Sequence, residues 1–129
     1  MLTYLDSSAI VKLVIREAET DALLAYLGPA PRLASSSLAR TEVLRAVTIA
    51  RPSERNRASQ VVHALHLIAL DDPLLDAAGA LGDQHLRSLD AIHLAAAQAL
   101  GHDLEAIITY DHRMARAAAT LGLPVATPR

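Results

Sequence analysis

The chain has 129 residues, the usual size of one domain, so we expect a single domain over residues 1–129. It contains no cysteine, which excludes disulfides, thiolate nucleophiles and cysteine-based metal sites. Its formal net charge of −2 argues against a protein that only binds nucleic acid through a basic surface, but it does not exclude a nuclease.

Strand-like and helix-like segments alternate along the chain, which favours a parallel sheet with helical crossovers. The predicted strands cover residues 2–5, 32–35, 67–70, 105–110 and 123–126. The predicted helices cover residues 7–17, 19–27, 37–50, 52–66, 73–82, 89–100 and 112–121. Their expected N-caps are Asp6 or Ser7, Ser36 or Ser37, Asp72, Ser88 and Asp111. The segment 89–100 is apolar on nearly every face, which predicts a buried helix.

Four acidic residues suggest one site. Asp6 follows the first strand, Asp111 follows the strand at 105–110, and Glu42 and Asp90 lie within helices. Ligands of an open parallel sheet bind beyond the carboxyl ends of its strands, where Asp6 and Asp111 would lie. Crowded carboxylates repel each other unless a cation or protons compensate, and hard oxygen ligands suit Mg²⁺ or Mn²⁺. The pattern therefore indicates a metal-dependent phosphodiesterase.

Each of these acids also has a simple structural explanation. Asp6 and Asp111 can cap helices, and an acid such as Asp90 is favoured in a first helical turn. Glu42 can pair with Arg45, a contact worth about 0.2–0.5 kcal/mol. However, Glu42 and Asp90 both face the apolar sides of their helices, where a carboxylate needs a partner or a metal.

Four motifs together resemble the PIN domain, in particular the VapC-type ribonuclease toxins of bacterial toxin–antitoxin pairs. They are Tyr4-Leu5-Asp6-Ser7-Ser8-Ala9, Glu42 after Ser37-Leu38, Leu89-Asp90-Ala91-Ile92-His93-Leu94-Ala95-Ala96-Ala97, and Thr109-Tyr110-Asp111. The resemblance covers essentially the whole chain. It implies a PIN-like three-layer α/β fold, in which helices flank a five-stranded parallel sheet. It also implies Mg²⁺- or Mn²⁺-dependent endonucleolytic cleavage of cellular RNA, which arrests growth.

By this resemblance, Asp6, Glu42, Asp90 and Asp111 match the catalytic and metal-binding acids of the family. Because Mg²⁺ takes only one or two protein carboxylates directly, we expect Asp6 and Asp90 to bind it and the other two to act through water or hold a second ion. Two hydroxyl residues, Ser8 and Thr109, match residues that support the site. Local turn hydrogen bonds remain an equal explanation for both hydroxyls.

The resemblance also implies partners. They are an RNA substrate and a cognate antitoxin, which is a small DNA-binding protein. Because a guanidinium binds carboxylates well, the four acids predict that the inhibitory tail of the antitoxin carries an Arg that reaches Asp6 and Asp90. An apolar stripe at Ala39, Val43, Ala46, Val47 and Ala50, with the helix at 74–81, predicts a homodimer. The chain begins with a strand-like run, and no apolar run approaches the ~20 residues of a membrane span. We therefore expect a cytoplasmic protein without membrane contacts.

Basic residues near the acids have two interpretations. Arg87, Arg113 and Arg116 either contact RNA phosphates or are solvated. The six histidines lack the spacing of a transition-metal site, and we expect His93 and His112 to be solvated or to lie beside the metal ligands.

Two other functions are open. The pair Asp71-Asp72 after the third strand fits a receiver-like phospho-accepting domain, although a receiver needs an acidic pair after the first strand and a Lys after the last. A PIN-like binding module without activity is the other alternative, although the complete acidic set disfavours it.

Overall fold

The computed structural model describes residues 1–129 and contains one five-stranded sheet in the order β3-β2-β1-β4-β5. The strands are β1 (Leu2–Leu5), β2 (Leu33–Ser36), β3 (His66–Ile68), β4 (Leu104–Ile108) and β5 (Val125–Ala126). All four neighbouring pairs are parallel. The predicted parallel α/β sheet is therefore confirmed.

Seven helices flank this sheet. They are α1 (Ser7–Val14), α2 (Thr20–Leu27), α3 (Ala39–Ala50), α4 (Arg55–His63), α5 (Asp72–Gly79), α6 (Ser88–Ala99) and α7 (His112–Thr120). Short 3₁₀ turns at Pro52–Glu54 and Gly101–Asp103 precede α4 and β4. No helix is long and apolar enough to cross a membrane.

The two faces of the sheet belong to two separate apolar clusters. Leu5 packs with residues of α1 to α4, whereas its neighbour Tyr4 packs with residues of α5, α6 and α7. Successive side chains of a strand point to opposite faces, so the central strand β1 is buried on both sides. The core consists mainly of Ala, Leu, Val and Ile, because the chain has no Phe or Trp.

The strand order determines where a crevice opens at the carboxyl end of the sheet. From β1 the chain proceeds outward to β2 and β3, and it then returns to add β4 and β5 on the other side of β1. The gap beyond the carboxyl ends of β1 and β4 is therefore the switch point at which ligands bind to open α/β sheets. Asp6 and Asp111 both follow the strands that form this gap.

Three predicted helix caps are wrong by a residue or two. Asp71, not Asp72, caps α5, and its side chain accepts a hydrogen bond from the Leu74 amide at 3.0 Å. Ser88 is the first residue of α6 rather than its cap, and the N-cap residue is Arg87. The N-cap of α3 is Leu38, which has no side-chain acceptor. In each case, several adjacent polar residues made the position ambiguous in the sequence.

Several elements are shorter than predicted. The first helix ends at Val14 rather than near residue 17, because the Lys12 carbonyl accepts a hydrogen bond from Thr20 Oγ1. The fourth helix ends at His63, three residues before its predicted end at residue 66. The strand predicted at 67–70 is β3, which begins one residue earlier, at His66, and ends two residues earlier, at Ile68. The fifth helix ends at Gly79, three residues before the predicted end.

The apolar stripe of α3 does not form a free surface. Ala39, Val43 and Val47 are fully buried against the sheet, and only Ala46 and Ala50 are exposed. In α5, Leu74 and Ala78 are likewise buried. The buried residues of both helices belong to the protein's own core, and the apolar surface that remains exposed includes Ile49 of α3 and Leu75 of α5.

Candidate active site

Asp6 lies at the carboxyl end of β1 and is almost fully buried, with 2% of its surface exposed. Its Oδ1 accepts hydrogen bonds from the Ala9 amide at 3.0 Å and from Ser8 Oγ at 2.6 Å, and its Oδ2 accepts one from Thr109 Oγ1 at 2.5 Å. Burial raises the pKa of Asp6, although these hydrogen bonds oppose the rise. Because a carboxylate has about four acceptor positions, one position on Oδ2 remains for another ligand.

Ser8 and Thr109 connect Asp6 to the loop after β4. Ser8 Oγ also accepts a hydrogen bond from the Tyr110 amide at 3.1 Å, and Thr109 Oγ1 accepts one from the Asp111 amide at 3.0 Å. Each hydroxyl therefore makes a short-range turn contact and a contact across 102 or 103 residues of sequence. The local turn contacts are therefore present, and both hydroxyls also contact Asp6, which is compatible with the supporting role that the resemblance implies.

Asp111 caps α7 as predicted. Its Oδ1 accepts hydrogen bonds from the amides of Arg113 at 2.8 Å and Met114 at 3.1 Å. Its other oxygen, Oδ2, forms no hydrogen bond. Asp111 therefore caps a helix with one oxygen and keeps the second free at the crevice.

Asp90 lies in the first turn of α6 and accepts no hydrogen bond in the structure. Burial is the largest cause of its raised pKa, and the negative charges of Asp111, Asp6 and Glu42 raise the pKa further. Four carboxylates from β1, α3, α6 and the β4–α7 junction thus influence one another. The fold brings together all four acids that the sequence singled out.

Glu42 does not pair with Arg45. Its Oε1 instead accepts hydrogen bonds from Ser7 Oγ at 2.5 Å and from His93 Nε2 at 2.6 Å. Burial acts to raise the pKa of Glu42, but the hydrogen bonds from His93 and Ser7 outweigh it, so the pKa is lowered. Glu42 is therefore held in its charged form.

Of the two places expected for His93, in solvent or beside the acids, the structure shows the second. His93 is 1% exposed rather than solvated, and Nδ1 lies 2.7 Å from Tyr4 Oη while Nε2 contacts Glu42. The apolar surroundings of His93 within α6 were the signal, because a polar side chain in a buried helix must find partners. Ser7 and Tyr4 carried no comparable signal, although both flank Asp6 in the first motif. His112 is exposed, as expected.

Arginines line the outer part of the crevice. Arg87 and Arg113 line a cavity together with Asp90, Asp111 and His112. The same two arginines also line a neighbouring cavity, which contains Arg116 and no apolar residue. Arg87 and Arg113 thus lie directly beside Asp90 and Asp111, whereas Arg116 lines only the neighbouring cavity.

The donor atoms fit a hard divalent cation. They are carboxylate oxygens, with free positions on Asp6, Asp90, Asp111 and Glu42, and no thiolate competes with them. No three acidic or histidine side chains are arranged to hold one ion directly. Mg²⁺ keeps several of its waters and takes only one or two protein carboxylates directly, so it does not need such a group.

Comparisons with known proteins agree with this geometry. The family model described as PIN domain matches residues 3–120. Ribonuclease VapC46 of Mycobacterium tuberculosis (strain ATCC 25618 / H37Rv) is 51% identical over 125 residues, which cover 97% of this chain and 96% of that protein. Ribonuclease VapC47 of Mycobacterium tuberculosis (strain CDC 1551 / Oshkosh) is 38% identical over 132 residues, covering 98% and 97%.

A solved structure has the same fold. A chain of a toxin–antitoxin complex from Klebsiella pneumoniae superimposes with a TM-score of 0.71 over 98% of both chains, at 23% sequence identity. The acids at the switch point, the order of the motifs and the near-complete coverage of the relatives lead to one assignment. The chain belongs to the PIN domain family and, within it, to the VapC group.

Proposed function

We propose that the chain is a divalent-metal-dependent endoribonuclease and the toxin of a toxin–antitoxin pair. The main observation is the convergence of four carboxylates at the switch point, where the charges of Asp111, Asp6 and Glu42 all raise the pKa of Asp90. Relatives that match nearly the full chain are named ribonucleases, which supports RNA as the substrate.

Each acid has a distinct task in this proposal. Asp6, through Oδ2, and Asp90 bind the ion directly, while Glu42 and Asp111 hold its waters or a second ion through their free oxygens. Asp6 is kept in place by Ser8 and Thr109, so its carboxylate cannot turn away from the crevice. When bound, Mg²⁺ or Mn²⁺ supplies positive charge that activates an attacking water and neutralises the phosphate oxygens.

Arg87, Arg113 and Arg116 are proposed to bind RNA phosphates beside the cleaved bond. None of the three forms an ion pair within the chain, so their charges are available. The cavity that all three line contains no Tyr, and the imidazole of His85 is its single aromatic ring. We therefore expect contacts with the RNA backbone to outnumber contacts with bases.

A cleavage assay with purified protein tests the proposed activity. We expect RNA to be cut internally in the presence of Mg²⁺ or Mn²⁺, and we expect EDTA to stop the reaction until excess metal is restored. Cleavage that persists in EDTA would exclude the metal-dependent mechanism. An absence of cleavage at any metal concentration, with RNA still bound, would support a binding module without activity.

The proposed antitoxin inhibits through an Arg-containing tail. A guanidinium can bind two carboxylate oxygens and would compete with the cation for Asp6 and Asp90. We expect inhibition to weaken as Mg²⁺ or Mn²⁺ is raised and to depend strongly on that Arg. Inhibition that responds to neither change would place the antitoxin elsewhere on the protein.

A homodimer is also proposed, but through a smaller surface than the sequence suggested. The outer face of α3 and the start of α4 form a cavity lined by Leu44, Arg45, Thr48, Ile49 and Arg55. Ile49 is 77% exposed, the highest exposure among the large apolar residues. This exposed side chain supports a contact with a second copy.

The receiver-like alternative is wrong. The PIN family model covers residues 3–120, which leaves no separate receiver domain. Asp71 and Asp72 follow β3 at the edge of the sheet, and Asp71 is engaged as the N-cap of α5.

A further inference from the structure

The Glu42 carboxylate is held through only one of its two oxygens. Oε1 accepts hydrogen bonds from Ser7 Oγ at 2.5 Å and His93 Nε2 at 2.6 Å, whereas Oε2 forms none. The Glu42 side chain is 24% exposed, and that of His93 is 2% exposed. The group that holds the carboxylate is therefore buried, while the carboxylate itself reaches solvent at the crevice.

His93 is in turn held by the centre of the sheet. Its Nδ1 lies 2.7 Å from the hydroxyl of Tyr4, a fully buried residue of β1. The two rings meet edge to face, with centroids 5.8 Å apart and planes at 74°. Because both ring nitrogens have partners, the imidazole cannot rotate without breaking a buried hydrogen bond to Tyr4 and a partly buried one to Glu42.

The hydrogen bonds that link Tyr4, His93 and Glu42 have a defined direction. The Glu42 carboxylate can only accept, so the ring nitrogen that contacts it, Nε2, must carry a hydrogen. In the neutral imidazole Nδ1 is then an acceptor, and the Tyr4 hydroxyl donates to it. The opposite tautomer would place the Nε2 lone pair against a charged oxygen.

We propose that His93, held by Tyr4, is a positioning residue that keeps Glu42 Oε1 turned inward and Oε2 turned toward the crevice. Oε2 is then the Glu42 atom that receives a metal-bound water or a metal ion. This inference rests on the proposed function, because it assigns a task to Glu42 within that site. Packing alone does not require His93, since burying an imidazole is less favourable than burying an apolar side chain of similar size.

Three substitutions separate positioning from packing. His93→Leu removes both hydrogen bonds and keeps an apolar side chain in the core. Tyr4→Phe removes only the phenol hydroxyl and keeps the buried ring. His93→Gln retains an N–H donor near the position of Nε2. His102→Gln is the matched control, because His102 is an exposed histidine outside the site.

The measurements are Mn²⁺ affinity by calorimetry and kcat and KM for RNA cleavage. Substitution of residues that orient metal ligands typically costs about 10–100-fold in metal affinity or activity. We expect His93→Leu to lower Mn²⁺ affinity and kcat by about this amount, with little change in KM for RNA, and Tyr4→Phe to give a smaller loss. His93→Gln should recover much of the loss, and His102→Gln should match the wild type.

Nitrogen-15 NMR of the His93 ring gives a readout that does not depend on cleavage. We expect Nδ1 to be unprotonated and Nε2 protonated in the wild type, and this preference should weaken in Tyr4→Phe. The opposite tautomer in the wild type would overturn the inference. Wild-type Mn²⁺ affinity and kcat in a folded His93→Leu protein would also overturn it. If His93→Leu does not fold, the same result in a folded Tyr4→Phe protein would overturn it.

Failure of the proposed function would look different. If the wild type neither binds Mn²⁺ nor cleaves RNA, the function proposed above is wrong, although the NMR measurement still reports whether His93 and Glu42 are coupled. If the wild type cleaves RNA and His93→Leu cleaves it equally well, only the positioning role is wrong.

Discussion

At the scale of single residues, Asp90 differs from the other three acids because no hydrogen bond compensates its charge. Asp6 has three hydrogen bonds, Asp111 has two and Glu42 has two. Asp90 instead has burial and three neighbouring negative charges, all of which raise its pKa. Its charge therefore destabilises the folded protein, and the cation of the proposed site would compensate it.

Asp90→Asn should separate activity from stability. We expect RNA cleavage to fall by at least about 100-fold, the usual effect of removing a group that stabilises transition-state charge. Without metal, the thermal midpoint should rise rather than fall, because the substitution removes the repulsion from Asp111, Asp6 and Glu42. Asp76→Asn, at an exposed site on α5, is the control and should change neither quantity. Wild-type cleavage by Asp90→Asn would remove Asp90 from the site.

Asp6→Asn should also abolish cleavage, but its effect on folding is less simple. Asp6 accepts a hydrogen bond from Thr109 Oγ1, and an amide nitrogen at Oδ2 would face that hydroxyl as a second donor. Removing the buried charge favours folding, while this mismatch opposes it. Asp90→Asn is consequently the cleaner test of the metal site.

The pH dependence of stability follows from the raised pKa of Asp90. In the folded state Asp90 binds its proton at a higher pH than in the unfolded state, where its pKa is about 3.9. Its charge therefore lowers the free energy of unfolding at neutral pH, and that loss is recovered as pH falls through the raised pKa.

Denaturant unfolding in EDTA tests this dependence. We expect Asp90→Asn to be more stable than the wild type at pH 7 and the difference to shrink as pH is lowered toward about 4. The burial-raised pKa of Asp6 is present in both proteins and cancels in the comparison to first order. A difference that grows on acidification would mean that the Asp90 charge is stabilised in the fold.

At the scale of elements, the start of α6 combines a weak cap with a functional position. Arg87 is the N-cap residue and has the extended backbone typical of a cap, but its side chain forms no cap hydrogen bond. The same arginine lines the cavity that contains Asp90 and Asp111. The helix therefore begins without a side-chain cap, at a residue proposed above to bind an RNA phosphate.

Arg87→Ser should lower the affinity for RNA and raise the stability of the fold. A serine cap stabilises a helix by about 1 kcal/mol relative to a residue without a capping group, so the free energy of unfolding should increase. RNA binding in EDTA should weaken, and its dependence on log salt should flatten by about 0.7 per lost phosphate contact on a single strand. Arg113→Gln should weaken RNA binding without the gain in stability. Unchanged RNA affinity in both variants would show that these arginines are only solvated.

Helix termini also show how the acids acquire two roles. Asp6 and Asp111 are each N-caps, and each cap uses a single oxygen toward the amides of its helix. Since one residue separates α1 from the end of β1 and three residues separate α7 from the end of the adjacent strand β4, the two caps lie at the same end of the sheet. The helices thus orient the carboxylates that they also need for their own stability.

At the scale of the whole molecule, assembly depends on a small part of the surface. Ile49→Asp should convert the proposed homodimer into a monomer, because it places a charge on the exposed apolar residue of α3. Leu75→Asp, on the exposed face of α5, is the matched control and should leave the dimer intact. Light scattering at micromolar concentration measures both. A wild type that is monomeric at that concentration would remove the proposal.

Much of the fold could be predicted because its signals are local. Strands β1 and β4 are short apolar runs followed by Asp, and α6 is apolar all round, so their types did not depend on distant contacts. Boundaries were less accurate where a distant group competes with the local pattern. For example, the Thr20 hydroxyl donates a hydrogen bond to the Lys12 carbonyl, and α1 ends earlier than predicted.

The sequence by itself determined the parallel α/β sheet and the four acids, because strand–helix alternation and cap positions are properties of neighbouring residues. Only the tertiary structure decided which groups hold those acids. Thr109 reaches Asp6 across 103 residues, and His93 reaches Glu42 across 51. Contacts of this kind arise when β1 and β4 pair and α3 and α6 converge at the crevice, so no local pattern encodes them. For the same reason, the sequence did not show which residues of the apolar stripe of α3 are buried: Ala39, Val43 and Val47 lie in the core, whereas Ala46 and Ala50 are exposed.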